Sequence, residues 1–177
     1  MEQSVRYPLV RRSIMRTGSV LAIAVLAYGL IPVQPASATA TVVVSLVLGG
    51  FGFAWAFRHE AHRISSSASP TLAALEALVL VVSLFVLWFA LVYVALSTSD
   101  PAAFTEDVNK VAGVYLSMTV LTTVGFGDIV AVTDTARVVV TLQMICDVVL
   151  LATAGRVVML LARRARGTGP TDVAAQR

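Results

Sequence analysis

Long apolar runs separated by short polar stretches dominate this chain of 177 residues. A bilayer core calls for about 20 apolar residues per helix, within about 17–25. Four stretches satisfy that length: 17–33, 41–57, 72–96 and 136–162. The third is interrupted by charge only at Glu76, near its start, and the fourth is long enough to tilt or project past the bilayer. Between the third and fourth the pattern changes. Residues 97–107 are polar and turn-like, with Asp100-Pro101 as a breaker. Residues 108–121 are apolar again but too short to cross, a length that predicts a re-entrant helix. Residues 122–128 then carry two glycines and no helical period. The pattern predicts an all-α membrane protein: four transmembrane helices, one re-entrant helix and an irregular loop at membrane depth.

Composition agrees with a membrane solvent. Apolar residues make up 58% of the chain and charged residues 13%, against about a quarter charged in soluble domains. The net charge of +3 is no sign of nucleic acid, because the basic residues cluster beside apolar runs. Arg6, Arg11, Arg12 and Arg16 precede the first span, Arg58 and Arg63 separate the second from the third, and Arg163, Arg164 and Arg166 follow the fourth. The positive-inside rule then predicts a multi-pass protein of the cell membrane with both termini cytoplasmic and 97–135 entering from outside. Residues 1–40 also resemble a secretory signal, ending in Pro35-Ala36-Ser37-Ala38-Thr39-Ala40. Their apolar run exceeds the usual signal core of about 7–15 residues, which favours a retained helix. The single cysteine, Cys146, excludes an intrachain disulfide.

The chemistry concentrates in Thr122-Thr123-Val124-Gly125-Phe126-Gly127-Asp128. Non-helical backbone at membrane depth is tolerated only where it is buried in protein or lines a watery path. Gly125 and Gly127, at alternate positions, free the backbone for conformations closed to other residues. Successive carbonyls of Thr123, Val124, Gly125 and Phe126 then turn to one side. Four such strands around an axis replace an ion's hydration shell with carbonyl oxygen. The Thr123 hydroxyl adds oxygens at the inner end, Val124 and Phe126 pack behind the strand, and Asp128 at the outer mouth attracts cations.

This segment resembles the potassium-channel signature T-V-G-Y-G-D, with Phe126 in the aromatic position, a substitution common in that family. The resemblance covers 72–164 and matches the two-span pore module of the ion-channel superfamily, bacterial type, here with two additional N-terminal transmembrane helices. Tyr115-Leu116-Ser117-Met118-Thr119-Val120-Leu121 and Ile129 also fit the module. It implies a basic N-terminus (1–16), two N-terminal helices with a basic loop (17–63), an outer helix (72–96), a pore helix (108–121), a selectivity filter (122–128), an inner helix (136–162) and a short cytoplasmic tail (165–177). It further implies a homotetramer, that is, three further copies in the bilayer. K+ would bind at Thr123, Val124, Gly125 and Phe126, with Gly127 completing the filter and no cofactor required. Many relatives carry an acid in the pore helix and a tryptophan before it, both bonding to the filter aspartate. Here those positions hold Thr119 and Leu116.

Asp147 is the other informative residue, since a carboxylate inside a span usually faces a cavity or a partner. It flanks the helical stripe of Met144, Val148, Leu151 and Gly155. Asp147, Val148 and Leu151 are therefore candidates for the inner cavity or gate. One possibility is a ring of acids concentrating cations; the other is a hydrogen-bonded acid between helices, with Gln143 or Thr141. The first two spans have no interior arginines of the kind a voltage sensor needs. A non-selective cation channel would share the architecture, but both filter glycines and the aromatic argue against it. Related potassium transporters keep one filter glycine and several pore segments, whereas this chain has one segment. A non-conducting accessory membrane protein is the remaining alternative. No nucleophile–base set or metal-ligand cluster points to catalysis.

Overall fold

The computed structural model describes residues 3–31 and 70–167, together with 44, 46, 47, 49, 50, 52 and 58. The helices with described bounds are α1 (Gln3–Leu30), α2 (Pro70–Ser99), α3 (Lys110–Leu121) and α4 (Asp134–Gly167). Among the described residues there is no strand; an isolated bridge joins Phe104 to Ala131. The expected second span (41–57), the basic loop after it and the tail from 168 lie mostly or wholly outside the described residues.

Among the described residues, two helices are long and apolar enough to cross a membrane, over Ala73–Ser99 and Asp134–Met159. The apolar part of α1, Met15–Leu30, is shorter than a full span. The helix itself starts at Gln3, ahead of the expected Thr17, because the arginine-bearing segment continues the helix rather than capping it.

Local chemistry sets the other boundaries. Proline opens α2, where its missing N–H costs nothing. At the far end the Thr98 and Ser99 hydroxyls turn back onto Val94 and Ala95 carbonyls at 2.7 Å, ahead of Asp100-Pro101. α3 starts at Lys110 rather than at the expected Val108, because Asn109 caps it. The Asn109 side chain accepts from the N–H groups of Val111 (2.9 Å) and Ala112 (3.0 Å). Val108 instead donates its N–H to the buried Ser97 hydroxyl at 3.0 Å. Asp134 opens α4, an acid where the helix dipole favours one.

The packing centre is α2. Phe85, Phe89, Tyr93 and Leu96 are fully buried along it. Phe85 and Phe89 lie with ring centroids 4.9 Å apart, and Tyr93 meets Phe104 edge-on at 5.8 Å. Gly113 brings α3 unusually close: a Cβ there would sit 2.9 Å from the Ala90 carbonyl oxygen and 3.0 Å from Val94 Cγ2. α4 buries only one face, through Ala136, Val139, Gln143, Asp147 and Leu150. Its opposite face leaves Val138, Ile145, Val148 and Val149 exposed.

Candidate functional site

The end of α3 shapes the segment that follows. Thr122 caps the helix, its hydroxyl donating to Met118 O at 2.7 Å. Thr123 N–H donates to Val120 O at 2.9 Å. The next two N–H groups, of Val124 and Gly125, both point at a single acceptor, Thr119 O, at 3.0 and 3.2 Å. None of these peptides is cis, and in a trans peptide the carbonyl points opposite to the N–H. The carbonyls of Thr123 and Val124 are therefore directed away from α3.

Backbone conformation carries this pattern onward. φ is positive at Thr123 (58°), Gly125 (48°) and Gly127 (78°), and at neither Val124 nor Phe126. Alternation of hand along a strand gathers successive N–H groups on one side and leaves the carbonyls on the other. Glycine meets this requirement at two of the three positions. Thr123 meets it with a side chain, a costly conformation that persists only where surrounding contacts hold it. Residues 122–128 are exposed in the single chain, so these carbonyls are open to whatever lies beside the strand.

The Asp128 end of this segment is tied down at several points. Tyr115 on α3 donates its hydroxyl to Asp128 Oδ2 at 2.6 Å, and its ring stacks on Phe126 with centroids 6.2 Å apart and planes 8° apart. The N–H of Ile129 donates to Asp128 Oδ1 at 3.0 Å. Thr105 donates to Asp128 O at 3.1 Å and accepts from Val130 N at 3.0 Å. The residues before α3 are thus laced to those after the glycines. The Tyr115 hydroxyl holds the Asp128 carboxyl below the usual carboxylate range, and the same bond to Asp128 raises the Tyr115 phenol.

Thr119 and Leu116 take no part in bracing Asp128. The Thr119 hydroxyl turns back to Leu116 O at 2.9 Å, so the support at that end comes from Tyr115. Tyr115 was legible only as part of the module's pattern. Its partner lies thirteen residues on, across a loop that helical spacing does not describe.

A second cluster lies deeper. Gln143 on α4 is wholly buried and accepts from the Tyr93 hydroxyl of α2 at 2.5 Å. Its amide donates to Ser117 O of α3 at 2.9 Å and, more weakly, to Asp147 Oδ2 at 3.5 Å. One side chain thereby joins three helices. Asp147 is 3% exposed in the single chain, and adding subunits only reduces exposure further. Val148 and Leu151 stand on the other side, 69% and 50% exposed. The three candidates thus divide between two faces of α4. In the sequence Gln143 is visible only as an amide inside an apolar run, one turn before Asp147.

Residues 81–163, just under half of the chain, match a family model described as an ion channel. That match supports an ion-channel family for this region and, with the two membrane-length helices, a membrane location. No curated protein and no solved structure matches the chain.

Proposed function

We propose that the chain is one subunit of a potassium-selective channel, a homotetramer in the cell membrane with both termini cytoplasmic. One observation carries this: the N–H groups of Val124 and Gly125 converge on Thr119 O, so that the Thr123 and Val124 carbonyls face away from α3. Carbonyl oxygens aligned on one side of a strand are the ligands a dehydrated K+ accepts. Thr123, Val124, Gly125 and Phe126 supply them, Gly127 continues the alternation, and Asp128 charges the outer mouth. A single strand surrounds an ion on one side only, so three further copies complete the site. The open apolar face of α4, including Val148 and Leu151, is available for those copies and for the inner cavity. The burial of Asp147 and its bond to Gln143 favour a brace between helices over a ring of acids at the cavity. K+ is the permeant ion; no cofactor and no catalytic step enters.

The test is flux. Purified protein in liposomes under a potassium gradient is expected to pass K+ that Na+ does not replace and that Ba2+ blocks. Equal flux of the two alkali ions would refute selectivity and leave a non-selective cation channel. Absence of flux from assembled protein would leave an accessory membrane protein. Cross-linking is expected to show four subunits.

A further inference from the structure

The chain contains one lysine, Lys110, and it occupies the first position of α3. That is an unfavourable place for a cation, because the helix dipole is positive there and the first turn holds no acid to offset it. The reason lies in α1. The Lys110 ammonium donates to the carbonyl of Gly29, and to that of Ile31 at 3.1 Å. Gly29 lies in the last turn of α1 and Ile31 directly follows the helix. A helix C-terminus leaves acceptors without partners of its own, and this one has no basic residue in its last turn. Lys110 therefore stands between the positive end of one helix and the negative end of the other, and satisfies the second.

The contact is reciprocal. Tyr28 of α1 is buried and donates its hydroxyl to the backbone carbonyl of Lys110 at 2.6 Å. The same hydroxyl lies 3.4 Å from where a Cβ on Gly113 would be, one turn further along α3. The end of α1 thus grips the start of α3 through a backbone carbonyl and a side-chain ammonium. At its other end α3 holds the strand through Thr119 O. A helix of 12 residues is a rod of about 18 Å, so a displacement at its first turn is carried to its last.

We propose that α1 is a clamp on the re-entrant helix, acting through Lys110 and Tyr28, and that it sets the position of the filter strand. Both are positioning residues; neither touches the ion. The proposal rests on the channel function above and adds a role for a helix that lies outside the region matched by the family model. It also requires α1 to remain in the mature subunit.

The experiment compares the full-length chain with Lys110→Met, Lys110→Arg and Tyr28→Phe in liposomes, reading the K+ over Na+ flux ratio and the amount of cross-linked oligomer. Lys110→Met and Tyr28→Phe are each expected to lower the flux ratio by about three- to tenfold with oligomer unchanged, and Lys110→Arg to restore it. A purely structural role for α1 would change the amount of oligomer and leave the ratio alone. Unaltered ratios in assembled Lys110→Met and Tyr28→Phe, beside a selective parent, would overturn the clamp and spare the channel. An unselective parent would instead refute the channel itself. If Lys110→Met does not assemble, the ratio of Tyr28→Phe, which loses one hydroxyl, decides the matter. A mature subunit that begins beyond Ile31 would also overturn the proposal.

Discussion

Tyr115 and Asp128 are joined by a 2.6 Å hydrogen bond from phenol to carboxylate, while the Tyr115 ring stacks on Phe126 between them in the chain. One side chain of α3 thus braces both the aromatic and the acidic residue of the segment that follows it. The bond stabilises the ionised carboxylate, so the folded Asp128 titrates below its unfolded value. Its contribution is fully present above the unfolded pKa and is lost as pH falls through the lowered, folded one. Acidification on the outer side is therefore expected to leave K+ flux intact through the ordinary carboxylate range and to reduce it only below that range. In Tyr115→Phe the midpoint is expected to move up towards the ordinary range. Flux measured against external pH checks both; an identical midpoint in the variant would separate the bond from conduction.

Gly125→Ala tests the left-handed backbone on its own. A Cβ at Gly125 meets nothing within 4 Å in the single chain, so no contact within one subunit opposes it. What remains is the cost of holding an L-residue at φ 48°, about 1–2 kcal/mol per subunit. The expected outcome is loss of K+ selectivity with the oligomer still formed, read as flux ratio and cross-linking on one preparation. Retained selectivity would mean that the strand does not need this conformation.

Gln143→Leu removes the acceptor of the Tyr93 hydroxyl and the donor to Ser117 O together. Hydrogen bonds between membrane helices average about 0.6 kcal/mol, and a buried orphaned group costs about 1–3 kcal/mol. A loss of about 1–3 kcal/mol is therefore expected, seen as a lower midpoint when the oligomer is heated in detergent. Asp147→Asn keeps the shape and an acceptor for Gln143, and is expected to leave K+ flux unchanged. A marked fall in K+ flux from assembled protein would put the carboxylate in the ion path.

Gly113→Ala sets two effects against each other. Alanine gains about 1 kcal/mol of helix propensity over glycine. Its Cβ would stand 2.9 Å from the Ala90 carbonyl oxygen, and crowding of this kind costs about 1–3 kcal/mol because the backbone has nowhere to go. Crowding is expected to win, giving less assembled protein and a lower thermal midpoint. A midpoint above that of the parent would show that α2 and α3 can separate slightly without penalty.

The chain's own pattern determined a good deal. Apolar runs of membrane length mark α2 and α4, because the bilayer sets one length for any spanning helix. The short run ending at Leu121 marks α3, and Gly125 and Gly127 mark two of the three left-handed positions. Each of these is local: a run length, a breaker or a missing Cβ decides it. The third left-handed position, Thr123, carries no such mark, since its conformation is imposed by the bonds around the end of α3.

What tertiary structure decided is which polar groups meet. Tyr115 reaches Asp128 over 13 residues, Gln143 reaches Ser117 over 26 and Tyr93 over 50, and Tyr28 reaches Lys110 over 82. No helical spacing encodes such separations; they follow from how closely α2 and α3 approach at Gly113 and which face α4 turns inward. Asp147 shows the difference most plainly. Its position in a span is evident from the sequence, but whether it faces a cavity or a partner depends on the rotation of α4 about its axis. Packing in the single chain turns that residue inward, onto Gln143.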